Sequence, residues 1–121
     1  MNLFDSSALL AFLRGEAGSD VVEQALETGG VCGAANWSEV ARKVRSHGRD
    51  WAQARALLLS YDLAVEPVTV ADAEAAASQW KVGSGLSLGD RLCLSLGTRL
   101  GATVWTADRQ WGTDDPVRQI R

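Results

Sequence analysis

Short apolar runs alternate with amphipathic segments along the first part of the chain. Residues 2 to 5 are apolar up to Asp5, and the stretch from Ser6 to Leu13 carries leucines at helical spacing. The buried-looking run at 31–35 is followed by apolar residues at i, i+3, i+4 and i+7, namely Trp37, Val40, Ala41 and Val44. The pattern therefore predicts two units in which a strand leads directly into a helix.

The same alternation continues to the end of the chain. Residues 18–28 predict an amphipathic helix that Gly29 and Gly30 would end, and Asp50 is placed to cap a helix over 51–61. Pro67, inside the strand-like run 64–68, indicates a sheet edge or the end of that strand. The later segments predict helices over 69–80 and 88–100, a strand over 103–106 and a short last strand near Pro116 and Val117.

Strands of this kind are too apolar to have one face in water, and helices separate them along the chain. Both features are typical of a parallel sheet that is covered by helices on its two faces. We therefore predict an α/β fold, a three-layer α/β/α sandwich with a central, mainly parallel sheet of four or five strands. Because the 121 residues show no compositional break, we expect one domain over residues 1–121.

Composition excludes several classes of site. Cys32 and Cys93 have neither the spacing of a zinc or redox motif nor that of a secreted disulfide scaffold, and His47 is the only histidine. The N-terminus lacks a secretion signal, and charged residues interrupt every run that could span a bilayer. We expect a cytoplasmic protein with no membrane span and no zinc chemistry.

Four acidic residues fall where predicted strands give way to helices: Asp5, Glu39, Asp90 and Asp108. In parallel α/β sheets, ligands bind beyond the carboxyl ends of the strands, which is where these residues should meet. Two carboxylates about 4 Å apart repel by roughly 4 kcal/mol at an effective dielectric near 20. Oxygen ligands favour Mg²⁺ or Mn²⁺, and such ions bind phosphates. A phosphoester substrate follows, and the net charge of −3 does not oppose it if these carboxylates hold a cation.

An alternative explanation is that these acids only cap helices. Asp5 could be an N-cap, and Asn36-x-x-Glu39 and Ser87-x-x-Asp90 both resemble capping boxes. Thr69-x-x-Asp72 has the same pattern at a place with no expected chemistry. Local pattern alone leaves both explanations open.

Four segments resemble the signature segments of PIN-domain ribonucleases, especially VapC-type toxins, in order and in spacing. They are Leu3-Phe4-Asp5-Ser6-Ser7-Ala8-Leu9-Leu10, Asn36-Trp37-Ser38-Glu39-Val40, Leu86-Ser87-Leu88-Gly89-Asp90 and Val104-Trp105-Thr106-Ala107-Asp108-Arg109-Gln110-Trp111. The resemblance runs from Met1 to about Trp111. Gly89 departs from it by replacing a common alanine, and Trp111 by replacing the more usual phenylalanine.

The resemblance implies a metal-dependent endoribonuclease, the toxin of a type II toxin–antitoxin pair. It implies that Asp5, Glu39 and Asp90 bind Mg²⁺ or Mn²⁺, with Asp108 as the fourth acidic member, and that a metal-activated water cleaves RNA. Ser6 and Thr106 align with polar residues that orient ligands or waters. The implied partners are RNA, a VapB-type antitoxin and a second copy of the chain.

The basic residues and tryptophans could contact RNA. Arg42, Arg45, Arg91 and Arg109 could guide the RNA backbone, although a solvated helix face explains such charges equally well. For the five tryptophans, core packing is the stronger expectation than base stacking.

Two other functions compete with RNA cleavage. An acidic-pocket phosphatase-like domain shares an aspartate after the first strand, but Asp5-Ser6-Ser7 lacks the second aspartate that such phosphatases use. A non-catalytic RNA-binding or interaction module on the same fold would be favoured by the loss of an acidic ligand, and none of the four is lost.

Overall fold

The computed structural model describes all residues, 1–121, and contains one five-stranded sheet with the order β3-β2-β1-β4-β5. All four strand pairings are parallel. The elements are β1 (Asn2–Phe4), α1 (Ser6–Arg14), α2 (Ser19–Glu27), β2 (Gly30–Gly33), α3 (Ala34–Ser46), α4 (Trp51–Ser60), β3 (Leu63–Glu66), α5 (Val70–Ser78), α6 (Leu88–Leu100), β4 (Thr103–Thr106), a 3-10 helix (Arg109–Trp111) and β5 (Val117–Gln119).

The α/β prediction is confirmed, including the strand before Pro67 and the short last strand. β3 is an edge strand and ends at Glu66, so Pro67 lies immediately beyond the sheet and no ladder hydrogen bond is lost to it. β5 is the strand expected near Val117, and it pairs with β4 at the opposite edge. The sheet thus has the larger of the two strand numbers expected from the sequence.

Alternate residues of the central strands enter two separate cores, as the pleat of a strand requires. Phe4 and Cys32 belong to a cluster of 14 buried residues that includes side chains of α1, α2, α3 and α4. Leu3, Val31 and Val104 belong to a second cluster of 6 buried residues, which includes Cys93 and Leu96 of α6. These two cores are the two interfaces of the α/β/α sandwich.

The early helices bury most of their apolar side chains. Leu10 and Val22 are buried in the larger core, while Leu13 and Val21 are half-buried. Core packing therefore accounts for this surface without a second copy of the chain.

Close packing of α6 on the sheet fixes the start of that helix near the carboxyl ends of the strands. A Cβ at Gly97 would lie 2.6 Å from Cγ2 of Val104 in β4, so only glycine allows this approach. The longest helices, α3 and α6, have 13 residues each, and none has the length and apolar composition needed to cross a membrane.

Candidate active site

Asp5 follows β1 directly and is almost completely buried, with an exposed fraction of 3%. It is the N-cap of α1, where its Oδ1 accepts a hydrogen bond of 2.8 Å from the backbone N–H of Ala8. The hydroxyl of Thr106, at the end of β4, donates to Asp5 Oδ2 at 2.6 Å. The first and fourth strands therefore meet at this carboxylate.

Burial raises the pKa of Asp5 from its ordinary value of 3.8 to about 6. The hydrogen bonds from Thr106, Ala8 and Ser7 lower this pKa, because they stabilise the ionised form, and the negative charge of Asp90 raises it. The net shift upward means that donors alone do not offset the loss of hydration. A cation would complete the electrostatic balance of this group.

Ser7, and not Ser6, provides the hydroxyl beside Asp5. Ser7 Oγ lies 2.7 Å and 2.9 Å from the two carboxylate oxygens of Asp5, accepts a 2.8 Å hydrogen bond from the N–H of Ala107, and is 3.2 Å from the Thr106 hydroxyl. Ser6 makes no side-chain hydrogen bond within the protein. Sequence reasoning missed Ser7, although a hydroxyl two residues after an N-cap aspartate was a usable signal.

Glu39 lies in the second turn of α3 and not in the first, as the sequence suggested, because the helix already begins at Ala34. The capping-box interpretation of Asn36 and Glu39 is therefore wrong: the N-cap is Gly33. Asn36 instead donates a 2.8 Å hydrogen bond from Nδ2 to Glu39 Oε1. It is buried and its Oδ1 has no partner, so it acts as an internal support for Glu39 that the sequence did not reveal.

Asp90 is the third residue of α6 and completes a capping box with Ser87. The N–H of Ser87 donates to Asp90 Oδ2 at 3.0 Å, and the N–H of Asp90 donates to Ser87 Oγ at 3.1 Å. The capping explanation is thus confirmed for Asp90 as for Asp5. A cap leaves the second carboxylate oxygen available, so this role is compatible with ligand binding.

Asp108 is linked to Asp5 at the same edge of the sheet by the Thr106 hydroxyl. Its N–H donates to Thr106 Oγ1 at 3.0 Å, and its own Oδ1 accepts from the N–H of Gln110 at 2.9 Å as the N-cap of the 3-10 helix. Asp108 is half-buried and exerts no resolved influence on the pKa of Asp5. It lies next to the other acids without being packed among them.

The thiols of Cys32 and Cys93 are buried close enough to the acidic residues for their pKa values to be affected by them. Burial raises the pKa of Cys93, and the charges of Asp5, Asp90 and Glu39 raise it further. Even so, no group of three or more His, Cys, Asp and Glu side chains is close enough to hold a metal ion as they stand. The structure places these three carboxylates within electrostatic reach of the Cys93 thiol but does not form a complete ligand set.

The donor chemistry nevertheless fits a hard divalent cation. All four acids offer carboxylate oxygens, no sulfur is accessible, and the orphaned Oδ1 of buried Asn36 adds a neutral oxygen beside Glu39. Burial is the main cause of the raised pKa of Asp5, and a bound cation would lower this pKa by stabilising the ionised form.

The basic residues predicted to contact RNA have different surroundings. Arg91 donates from Nη1 to the carbonyl of Ala76 at 2.9 Å, and so joins α6 to α5. Arg42 and Arg45 are exposed on α3, and Arg109 is exposed at the start of the 3-10 helix. Arg91 Nε has no hydrogen-bond partner in the protein, and RNA contact by any of these four residues stays a prediction.

Four of the tryptophans, Trp37, Trp51, Trp105 and Trp111, are half-buried and packed against the two cores. Trp37 and Trp51 form an edge-to-face pair with ring centroids 5.2 Å apart, and Trp105 donates from Nε1 to Asn2 at 2.9 Å. Trp80 alone is mostly exposed, at 59%. Packing therefore accounts for the four half-buried rings.

Comparison with known proteins agrees with this architecture. The family model of the PIN domain matches residues 3–113. A toxin–antitoxin complex from Klebsiella pneumoniae contains a chain with a TM-score of 0.79 at 18% identity, over 100% of this chain and 98% of that chain. VapC20 of Mycobacterium tuberculosis, a toxin that cleaves the sarcin-ricin loop, gives a TM-score of 0.69 at 16% identity over 88% of both chains.

At such identities, the two structures show a common fold. No curated protein matches the sequence significantly. The family model, in contrast, spans nearly the whole chain and includes all four strand-end acids. This protein therefore belongs to the PIN domain family.

Proposed function

We propose that this PIN domain is a Mg²⁺- or Mn²⁺-dependent endoribonuclease and the toxin of a type II toxin–antitoxin pair. The observation that carries the proposal is the burial of Asp5, with its pKa raised to about 6, beside the charge of Asp90. Ionisable carboxylates that a fold gathers at the carboxyl edge of a parallel sheet repel one another and destabilise the folded protein unless a bound ligand compensates for the repulsion.

Asp5, Glu39 and Asp90 are the proposed metal ligands, and Asp108 is the more peripheral fourth acid. A bound divalent ion would lower the pKa of a water molecule and balance the charge that develops on the phosphate. Ser7 and Thr106 hold the Asp5 carboxylate, and Asn36 holds that of Glu39. Asp108 Oδ2 accepts no hydrogen bond from the protein, so it is free to receive a proton from the attacking water.

The partners in this proposal are RNA, a VapB-type antitoxin and a second copy of the chain, and the compartment is the cytoplasm. The two similar structures, a toxin–antitoxin complex and a toxin that cleaves the sarcin-ricin loop, support the antitoxin and RNA as partners. One observation favours the rival function, a non-catalytic RNA-binding module: Asp5, Asp90 and Asp108 all cap helices and would be retained for that reason alone.

Asp90 and Asp72 allow a matched test, because each is the third residue of its helix and completes a capping box. Asparagine at either position keeps an oxygen that can accept the capping hydrogen bond and removes the charge. The wild type and both variants are incubated with an RNA pool, with Mn²⁺ or with EDTA, and the cleaved ends are mapped. We expect Asp90→Asn to abolish Mn²⁺-dependent cleavage and Asp72→Asn to retain it. Equal activity of the two variants would contradict the proposal.

A further inference from the structure

A cavity of about 360 Å³ lies between the C-terminal ends of α1 and α3 and the segment that leads into α4. Six residues line it, and four of them are basic: Arg14, Lys43, His47 and Arg49. The other two, Leu13 and Val44, are apolar. No acidic side chain lines this cavity, although the chain as a whole has a net charge of −3.

The basic groups of the cavity are not neutralised by the protein. None of its three salt bridges includes Arg14, Lys43, His47 or Arg49. His47 uses Nδ1 to donate to the carbonyl of Lys43 at 2.8 Å, which fixes the ring against the last turn of α3. Like charges gathered without a counter-ion repel one another, so a bound anion would stabilise this arrangement.

Helix dipoles explain part of this arrangement but not the whole of it. Arg14 and Lys43 lie in the last turns of α1 and α3, where a cation complements the dipole. Each dipole acts on its own helix, however, and does not require cations of different helices to share one cavity. Arg49 belongs to no helix and still lines the same space.

The cavity shares helix α3 with the acidic site, since Glu39, Lys43 and His47 all belong to α3 or to its C-cap. Glu39, Lys43 and His47 follow one another at four-residue intervals, so they form one stripe on the helix. The stripe from Glu39 to His47 spans about 12 Å, from the rise of 1.5 Å per residue. A strand held at the carboxylates could therefore reach the cavity within a few nucleotides.

We propose that this cavity binds a backbone phosphate of the RNA substrate, a few nucleotides away from the cleaved bond. The inference rests on the proposed function, because the acidic site is where that bond would lie. Two guanidinium groups and an ammonium group match the charge and hydrogen-bonding capacity of a phosphate. The lining contains no phenylalanine, tyrosine or tryptophan, and the one aromatic ring, His47, is held against the Lys43 carbonyl, so we expect the contact to recognise the RNA backbone and not its sequence.

The test compares two double variants that remove equal charge. Arg14→Gln/Arg49→Gln empties the cavity of its guanidinium groups, and Arg55→Gln/Arg118→Gln removes two exposed arginines elsewhere. Binding of a fluorescein-labelled single-stranded RNA is measured by anisotropy in EDTA over a series of salt concentrations. We expect the cavity variant to bind about tenfold more weakly and its salt slope to fall by about 1. The control should keep the wild-type slope.

Equal slopes for the two double variants would overturn the proposal. If Arg14→Gln/Arg49→Gln fails to fold, Lys43→Gln is measured in its place. This variant removes a single cation from the cavity, and we again expect weaker RNA binding and a lower salt slope. Titration with inorganic phosphate, followed by NMR, separates a site for free phosphate from one for RNA: shifts at Lys43 and His47 without any loss of RNA affinity in the variant would overturn the RNA assignment.

The cleavage assay separates this inference from the proposed function. Loss of RNA affinity in the cavity variant, with no cleavage by the wild type, would retain the phosphate site and contradict the nuclease. Cleavage by the wild type, with unchanged KM in the cavity variant, would retain the nuclease and contradict the phosphate site. A raised KM with unchanged kcat supports both.

Discussion

The carboxylate of Glu39 lies in tight contact with the position at which a side chain of residue 89 would begin. A Cβ at Gly89 would stand 3.0 Å from Glu39 Oε1 and 3.3 Å from its Cδ. The same Oε1 accepts the hydrogen bond from buried Asn36, so the carboxylate is held from both sides. The absence of a side chain at position 89 thus lets Glu39 lie against the start of α6, next to Asp90.

Gly89→Ala should therefore have opposite effects on two properties: it should favour the helix α6 and weaken metal binding. Alanine favours a helix over glycine by roughly 0.5–1 kcal/mol, yet here its Cβ would displace the Glu39 carboxylate. We expect calorimetric titration with Mn²⁺ to show about tenfold weaker binding, the lower end for a residue that supports a ligand. Unchanged affinity together with a higher melting temperature would show that Gly89 is an ordinary helical glycine.

A second substitution tests whether the effect passes through Glu39. In the Glu39→Ala background, the Cβ of alanine at position 89 meets no carboxylate, so Gly89→Ala should stabilise the metal-free protein more than it does in the wild type. This coupling is measured by urea unfolding of the four proteins and needs no metal. Additive free energies would contradict the contact as the cause.

Ser7 and Ser6 provide a matched pair for the support of Asp5. Ser7→Ala removes a donor to the Asp5 carboxylate and leaves the N–H of Ala107 without its acceptor. We expect a loss of about 1–3 kcal/mol in the free energy of unfolding, a higher pKa for Asp5 and slower cleavage. Ser6→Ala should stay within about 0.5 kcal/mol of the wild type, because its hydroxyl makes no bond. Denaturation and carboxyl NMR titration measure both effects, and equal results for the two variants would contradict the assignment.

The sequence was sufficient to predict the fold because its signals are local and agree with one another. Thr69 and Ser87 mark the starts of two helices, and the structure contains the capping boxes that their sequence pattern indicates. Pro67 marks the end of an edge strand. Burial alternates along β1 as Leu3 and Phe4 enter opposite cores. Each of these features depends on residues a few positions apart, which a reader of the sequence can compare directly.

The site was predicted less completely, because its supporting contacts join distant parts of the chain. Asp5 was identified from its position after a strand, but its bond to Thr106 crosses 101 positions in sequence. The support of Glu39 by Asn36 was mistaken for a cap, since the same spacing serves both purposes and the true helix start was not evident. The closeness of Gly89 to Glu39 depends on how α6 packs on the sheet and leaves no local signal.

Asp72 should matter for stability and not for cleavage. It receives two hydrogen bonds from Arg99, at 2.8 Å and 3.1 Å, and these hold the pKa of Asp72 below its ordinary value of 3.8. Because the folded-state pKa is lowered, this stabilisation is present above pH 3.8 and is lost as the pH falls through the folded-state value.

Asp72→Asn should thus lower the melting temperature at neutral pH, with a cost of about 1 kcal/mol because Arg99 is partly in solvent. The difference from the wild type should shrink in acid, when Asp72 of the wild type is itself protonated. Thermal unfolding at a series of pH values measures the difference, and a gap that persists unchanged in acid would contradict the ion-pair explanation.

The pH dependence of Asp5 should have the opposite sign. Its pKa is raised from 3.8 to about 6 in the folded protein, so folding favours the protonated carboxyl group. The corresponding stability is fully present below pH 3.8 and is lost as the pH rises through about 6. The shift amounts to about 3 kcal/mol, at roughly 1.4 kcal/mol per pH unit.

Urea unfolding of the metal-free wild type and of Asp5→Asn, below pH 3.8 and above pH 6, isolates this contribution, because the asparagine does not titrate. The wild type should lose stability relative to the variant as the pH rises, and Mg²⁺ or Mn²⁺ should restore it only when Asp5 is present, since a bound cation stabilises the ionised form. A constant difference between the two proteins would mean that Asp5 is ionised at no cost, and that its burial does not prepare it for a cation.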